Sequence, residues 1–80
     1  MTPKLNKAIP LKPLSIELHY KNGEIRVFDI TKYCKSDFFS ELKDWNYFSR
    51  LRLANGTVTW PHEQDIAPDT LYLESKKYSN

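Results

Sequence analysis

Two histidines and one cysteine are the side chains that could bind a metal ion. His62 and Glu63 begin like the helix of a zinc protease, in which a second histidine stands four residues after the first. That position holds Ile66, so the pair of ligands on one helical face is missing. His19 and Cys34 are the other candidate ligands, and no spacing among them favours a metal. The sequence therefore predicts no metal site and no cofactor.

Two aspartates near the C-terminus have a spacing that would allow paired acid–base catalysis. Asp65 and Asp69 stand where a loop enters a turn, beside Pro68, and aspartate at such positions usually accepts hydrogen bonds from backbone N–H groups. Catalysis would also require a pocket and a perturbed pKa, of which the sequence gives no sign. The two glycines, Gly23 and Gly56, do not form a phosphate-binding loop. We therefore expect capping roles for the aspartates, no catalytic residues and no enzymatic activity.

The chain of 80 residues forms one domain at most, and its charge is unevenly distributed. The net charge is +2, but residues 13–75 carry seven basic and ten acidic side chains, so the basic excess lies at the two ends. A mildly acidic body disfavours a role in binding nucleic-acid phosphates. A single cysteine excludes an internal disulfide, and neither a signal peptide nor an apolar run of about 18 residues is present. We expect a cytoplasmic protein with no membrane contact.

Alternation of apolar and polar residues over 14–20 predicts a strand with one buried face. The Asn22-Gly23 dipeptide that follows is typical of a two-residue type I′ turn. This turn would pair Leu18 with Val27 on the apolar face. It would also direct Phe28 to the polar face, so the end of the strand must be covered on both sides or contain a bulge.

A second hairpin repeats the pattern. Residues 50–53 and 57–60 alternate on either side of Asn55-Gly56. A two-residue loop would pair Leu53 with Val58 on an apolar face shared with the flanking Leu51 and Trp60. The opposite, solvated face is expected to carry four polar side chains: Arg50, Arg52, Thr57 and Thr59.

Short helices are predicted between the hairpins. Candidate capping residues indicate a helical turn near 31–35 and a second helix over about 37–44. Phe38, Leu42 and Trp45 recur at helical spacing, which indicates one apolar stripe packed against the sheet.

These elements predict a small α+β fold, with an antiparallel sheet made from two hairpins and short flanking helices. We place the single domain at 13–75. Residues 1–12 would form an irregular N-terminal arm with a short edge strand near Leu11, and 76–80 a short basic tail.

Four residues are candidates for contact with a partner. Arg50 and Arg52 form the one cationic patch of the predicted body and would act as rim or steering charges. Trp45 and Tyr47 would be aromatic anchors, because tyrosine and tryptophan are enriched in protein interfaces. The alternatives are a solvated sheet face for the arginines and core positions for the aromatic side chains.

Three motifs run through the chain: a Phe-Asp-Ile step at 28–30, a spaced helical pattern at 39–48 and a C-terminal run at 60–72. Over about 14–73 they resemble the bacterial family called domain of unknown function 2442. The chain departs from the family pattern at 62–63, where Asn-Gly is common and His-Glu stands here. The residues that carry the resemblance, which we expect to be structural, are Phe28, Asp29, Ile30, Phe39, Leu42, Asp44, Phe48, Trp60, Pro61, Asp65, Ile66, Pro68, Asp69, Leu71 and Tyr72.

The resemblance implies a small α+β unit with an antiparallel sheet and short helices. Family members occur alone or joined to a DNA-binding helix-turn-helix, and some are encoded beside small proteins in arrangements that resemble toxin–antitoxin pairs. We therefore expect a non-enzymatic protein-binding module, the antitoxin-like member of a two-gene pair. Its partner would be a small co-encoded protein or a second copy of the chain. The alternative is a nucleic-acid-associated regulator that uses the basic tails and the Arg50/Arg52 face, although nucleic acid is the less favoured partner.

Overall fold

The computed structural model describes residues 2–78. Within that range four strands form one antiparallel sheet, in the order β1-β2-β3-β6, and two strands form a second sheet. The α+β class is confirmed, and the two hairpins lie in separate sheets. The elements in chain order are β1 (Leu5–Leu11), β2 (Ser15–Tyr20), β3 (Ile25–Asp29), two 3₁₀ helices (Thr31–Lys35 and Ser40–Lys43), α1 (Trp45–Phe48), β4 (Arg52–Ala54), β5 (Thr57–Thr59), α2 (Pro68–Leu73) and β6 (Lys76–Lys77).

The loop of the first hairpin is longer than predicted. The N–H of Tyr20 donates to the carbonyl oxygen of Glu24 at 2.9 Å, and the N–H of Gly23 donates to the carbonyl oxygen of Tyr20 at 3.0 Å. The loop therefore holds three residues, 21–23, and Gly23 takes a φ of +93°. A type I turn followed by glycine in the left-handed region is the common form of this loop. The prediction of a two-residue turn here is wrong.

The longer loop moves the register by one residue and exchanges the faces of β3. Leu18 pairs with Arg26 instead of Val27, and Ile16 pairs with Phe28. Phe28 is fully buried beside Ile16, whereas Val27 lies on the opposite face of the sheet. No bulge is needed to bury Phe28, because the shifted register already directs it to the core.

The core lies on one face of the four-stranded sheet, under the helices and the two-stranded sheet. Trp60 is the largest fully buried side chain, and its indole N–H donates to the carbonyl oxygen of Phe48 at 2.9 Å. Burying that polar atom with a partner avoids the cost of an unsatisfied donor. The buried apolar residues are Leu5, Ile16, Leu18, Tyr20, Phe28, Ile30, Cys34, Leu42, Phe48, Val58, Trp60, Ile66 and Leu71.

Both ends of the described chain are more ordered than predicted. The short edge strand expected near Leu11 extends over Leu5–Leu11, so most of 1–12 is not an irregular arm. Lys76 and Lys77 are not a basic tail, because they form β6 and pair with Val27 and Arg26. The remainder of the predicted tail beyond Tyr78 lies outside the described residues.

The second hairpin has the predicted two-residue loop. Asn55 and Gly56 take φ values of +53° and +82°, as a type I′ turn requires. Leu53 pairs with Val58, which confirms the predicted register.

The predicted polar face of this hairpin is exposed at Arg50 and Arg52 but covered at the two threonines of β5. The hydroxyl of Thr57 is buried and donates to the carbonyl oxygen of Ile66, and the hydroxyl of Thr59 donates to the carbonyl oxygen of Gln64 at 2.8 Å. The segment after the hairpin therefore covers this side of β5. Leu53, expected on the buried face, is 43% exposed.

The helical segment is broken into short pieces. The turn predicted near 31–35 is the 3₁₀ helix Thr31–Lys35, but 37–44 does not form one continuous helix. Leu42 is fully buried as expected, whereas Phe38 is 55% exposed. The side chain of Asp44 caps α1 by accepting from the N–H of Asn46 at 3.2 Å.

Candidate functional site

The second face of the four-stranded sheet, which we call the outer face, carries a group of apolar side chains. Ile9, Leu11, Ile25 and Val27 lie there by register, and none of them belongs to the core. All four are half-buried. Among residues 2–78, the helices and the second sheet contribute to the core on the other side, so this apolar group faces outward.

One row across the outer face places opposite charges on either side of an apolar residue. Val27 pairs with Glu17 on one neighbouring strand and with Lys76 on the other. Directly paired residues in an antiparallel sheet point to the same face, so the acid and the base border Val27 on opposite sides. Glu17 also contacts His19, with 2.6 Å between Oε2 and Nε2.

The next row has aromatic character. Ile25 pairs with His19 on one side, and on the other side its carbonyl oxygen accepts from the N–H of Tyr78 at 2.9 Å. Tyr78 is 60% exposed. Tyr78 thus lies beside half-buried aliphatic residues, and tyrosine is a residue type enriched in protein interfaces.

A small pocket of about 230 Å³ lies at the margin of the outer face, lined by Asp29, Lys32, Glu74 and Lys76. Two of these four charged side chains form an ion pair, with 2.6 Å between Lys32 Nζ and Glu74 Oε1. The carboxylate of Asp29 accepts from the N–H of Thr31 at 2.9 Å, and hydrogen bonds from Thr31 hold the pKa of Asp29 below its ordinary value. Asp29 of the Phe-Asp-Ile step therefore organises the turn after β3.

A polar network fastens α2 to the first hairpin. Tyr72 donates to Glu24 Oε2 at 2.6 Å, and Arg26 donates to Glu24 Oε1 at 2.8 Å and to Ser75 Oγ at 2.6 Å. The guanidinium carbon of Arg26 lies 4.4 Å from the centre of the Tyr72 ring. The hydrogen bond from Tyr72 is the largest cause that lowers the pKa of Glu24 to about 2. Burial raises the pKa of Tyr20 in the same group to about 12.

A tight reversal follows the second hairpin. The N–H of Trp60 donates to the carbonyl oxygen of Gln64 at 3.0 Å, and the N–H of Glu63 donates to the carbonyl oxygen of Trp60 at 2.9 Å. Pro61 occupies an exposed position inside this reversal. Glu63 takes a φ of +71°, at the position where the resembled family commonly has glycine. The turn is therefore kept although its glycine is replaced.

The reversal is attached to the helical segment by a buried amide. Gln64 is fully buried, and its Nε2 donates to Glu41 Oε1 at 2.8 Å and to the carbonyl oxygen of Phe38 at 2.9 Å. Tyr47 donates to Gln64 Oε1 at 2.5 Å and accepts from the N–H of His62 at 2.9 Å. The hydrogen bond with His62 is the largest cause that lowers the pKa of Glu41. The hydroxyl of Tyr47 is therefore used in hydrogen bonds within the chain and is not free to contact a partner.

The four candidates for partner contact differ in their surroundings. Trp45 is half-buried, packs on Phe48 with 5.8 Å between ring centres, and has Lys12 Nζ 5.3 Å from its own ring centre. Arg50 and Arg52 are exposed. The two aromatic candidates are therefore occupied within the chain, and the two arginines are accessible.

The two aspartates of the C-terminal motif do not cap α2. The helix begins with Pro68 in its first turn, and Ala67 before it has no capping side chain. Asp65 forms a backbone bridge with Thr59, and Asp69 accepts from the hydroxyl of Thr2 at 3.4 Å. The capping prediction is therefore wrong, and Pro68 in the first turn of the helix has no N–H that would need a cap.

The candidate metal ligands do not gather. Within residues 2–78 no three His, Cys, Asp or Glu side chains form a group that could hold a metal ion. Cys34 is buried, and burial raises the pKa of its thiol. No helix among these residues is long and apolar enough to cross a membrane.

Sequence reasoning missed the outer face, because its members are recognised only in the observed register. The signal was Phe28: a large aromatic residue on a nominally polar face indicates that the register is shifted by one residue. In the register shifted by one residue, Val27 and Ile25 lie on the outer face.

The family model described as "Protein of unknown function (DUF2442)" matches residues 6–77 of the 80-residue chain. The chain belongs to this family, which confirms the resemblance seen in its motifs. The matched segment includes β6 and all of β1 except Leu5, in addition to 14–73. No curated protein and no solved structure matches the chain.

Proposed function

We propose that this protein is a non-enzymatic, cytoplasmic protein-binding module and the antitoxin-like member of a two-gene pair. Its outer face would be the contact surface, and a small co-encoded protein its partner. The observation that supports the proposal is the apolar group on the outer face, which takes no part in the core.

The composition of the face supports a protein ligand. A solvated sheet face normally carries polar side chains in alternation with the buried ones. Here Ile25 and Val27 occupy the outward positions of β3, and Tyr78 adds an exposed aromatic ring. Covering such apolar area with a partner is favourable by roughly 25 cal/mol per Å² removed from water, before the costs of association.

The charges on the face define the partner further. The matching surface would offer a basic group opposite Glu17 and an acidic group opposite Lys76, on either side of an apolar centre. In this proposal, the side chains that anchor the partner are Val27, Ile25 and Tyr78. The sequence favours Trp45 and Tyr47 for that role instead.

Nucleic-acid binding remains the alternative function, with a weaker structural basis. Lys76 and Lys77 belong to a strand, and Lys12 lies over the ring of Trp45, so these lysines do not form an extended basic arm. Arg50 and Arg52 are exposed and available to phosphates.

Co-expression with the product of each neighbouring gene tests the proposal. We expect the wild-type chain to co-purify with one of them and to restore growth. The variant Val27→Asp should lose the complex, because it places a charge in the apolar centre. Leu53→Asp is the matched control, since Leu53 is also an aliphatic residue outside the core but lies in the second sheet. Circular dichroism checks that both variants are folded.

Two outcomes contradict the proposal. Absence of a complex and of growth rescue with both neighbours removes the antitoxin-like role. A complex that survives Val27→Asp removes the outer face as the contact surface. Binding to DNA or RNA that weakens steeply with salt, and is lost with Arg50→Glu and Arg52→Glu together, would support the alternative instead.

A further inference from the structure

We infer that, when the partner is absent, the outer face binds the outer face of a second copy, in a symmetric dimer whose two-fold axis runs along β3. The inference rests on the proposed use of this face as a contact surface. It adds that a second copy of the chain can bind this face, and it gives the geometry of the resulting dimer.

The charged row is self-complementary about β3. Glu17 and Lys76 lie on the two strands that flank β3, and each of them is paired directly with Val27. A two-fold axis along β3 exchanges these two strands. It therefore stacks Val27 on Val27 of the second copy and places each Glu17 over a Lys76, so that two ion pairs border an apolar centre.

The second row obeys the same symmetry. His19 and Tyr78 flank Ile25 in the same way. The axis along β3 stacks Ile25 on Ile25 and places each His19 against a Tyr78, which is exposed enough to contact it. Sheets that pack face to face lie about 10 Å apart with aligned strands, and an axis along a strand produces that arrangement.

Other in-plane axes are less favourable. An axis along β2, or one that crosses the strands through Val27, would place Glu17 over Glu17. An axis midway between β2 and β3 would place Glu17 over Val27. The axis along β3 also places Asp29 opposite Asp29 of the second copy. Within each chain, the carboxylate of Asp29 accepts from the N–H of Thr31, and Lys76 lies close enough to help lower its pKa. Its charge is thus compensated within its own chain.

The size of the face indicates a weak dimer. The axis along β3 leaves β1 outside the overlap, so three strands about 4.8 Å apart, with about five residues of about 3.3 Å each, offer roughly 240 Å² of flat area per copy. This is less than half of the roughly 800 Å² per partner found in stable complexes. Self-association should therefore depend on concentration and be displaced by a partner that binds the same face more tightly.

Sedimentation equilibrium of the full chain up to about 1 mM tests the inference. We expect the apparent mass to rise from 9.5 kDa toward twice that value. Glu17→Lys alone and Lys76→Glu alone should each raise the dimer dissociation constant by at least about tenfold, because each brings like charges together twice. An equimolar mixture of the two single variants should recover wild-type association, since the mixed dimer has two ion pairs. Lys21→Glu, in the exposed hairpin loop, is the control and should change little.

The mixture separates the inference from misfolding, because a misfolded variant could not restore association. A chain that is monomeric at every concentration overturns the inference. If the dimer dissociation constant is unchanged in both charge variants, or if mixing them does not restore association, the axis along β3 is wrong. If the dimer is absent while Val27→Asp still abolishes partner binding, only the inference fails. If dimerisation weakens in the two charge variants and recovers in their mixture, while Val27→Asp leaves partner binding unchanged, only the proposed partner surface is wrong.

Discussion

The two hairpins contain the same Asn-Gly dipeptide and fold around it differently. In the second hairpin Asn55 and Gly56 both have positive φ and form the entire loop. In the first hairpin Gly23 has positive φ while Asn22 does not, and the loop holds three residues. The dipeptide thus permits a reversal without fixing its length.

Burial decides between the two loop lengths. A two-residue loop in the first hairpin would direct Phe28 outward, whereas the three-residue loop places it in the core beside Ile16. Fully burying an aromatic side chain is worth about 1.5–3 kcal/mol, which exceeds the small difference between allowed turns. In the second hairpin, the two-residue loop already buries Val58.

The residue after each glycine has a common role. Glu24 accepts from Tyr72 at 2.6 Å, and Thr57 donates to the carbonyl oxygen of Ile66. Each hairpin is therefore joined at its loop end to the C-terminal segment, the first by an ionic network and the second by a buried neutral bond.

The largest expected loss of stability comes from a substitution on the buried face of β3, in comparison with one on its outer face. Phe28→Ala should destabilise the protein by about 3–5 kcal/mol, because it removes a fully buried aromatic ring. Val27→Ala, one position away on the outer face, should cost less than about 1 kcal/mol. Urea unfolding followed by circular dichroism measures both.

If the two costs were reversed, the register of the first hairpin would be the two-residue one, with Val27 in the core. Equal costs would show that both faces are buried. The ratio therefore tests the loop length without a measurement on the loop itself.

The sequence determined the strands and reversals better than the pairing between them. Alternation located β2, β3 and the second hairpin, but a period of two cannot distinguish registers that differ by one residue without a side chain such as Phe28. The sequence predicts a tail at Lys76 and Lys77, because two lysines have no strand signal; their pairing comes from β3.

The polar contacts were still less accessible from the sequence. Gln64 is an ordinary surface residue by type, and its burial depends on three partners far away in the chain: Glu41, Phe38 and Tyr47. Such long-range contacts leave no local pattern.

The next effect concerns the second hairpin. Thr57→Val should destabilise by about 1–3 kcal/mol, because the buried carbonyl oxygen of Ile66 loses its donor. On the solvated face predicted from the sequence, the same change would be neutral or slightly stabilising, since valine favours strands. Thermal unfolding distinguishes the two results.

A smaller effect is expected from the ionic network of the first hairpin, because water reaches Glu24 and screens its charge. The pKa of Glu24 in the folded protein, about 2, lies below the ordinary value of 4.5. Its contribution to stability is therefore present above about pH 4.5 and is lost as the pH falls from 4.5 toward 2.

Glu24→Gln should lower stability at neutral pH and reduce the loss of stability between pH 4.5 and 2. Urea unfolding at a series of pH values measures this dependence. Glu63→Gln, an exposed change with the same loss of charge, should keep the wild-type slope. An unchanged slope in Glu24→Gln would mean that the network contributes no pH-dependent stability.

The smallest effect compares the two asparagines directly. Asn22 accepts from the N–H of Glu24 at 3.0 Å and donates to its carboxylate at 2.7 Å, so Asn22→Gly should cost about 1 kcal/mol through lost bonds and added backbone freedom. At Asn55, φ is +53°, which glycine adopts without strain. Asn55→Gly should therefore change stability by no more than about 0.5 kcal/mol, in either direction. Chemical unfolding of both variants measures the difference, and a larger loss at Asn55 would contradict the two distinct turns.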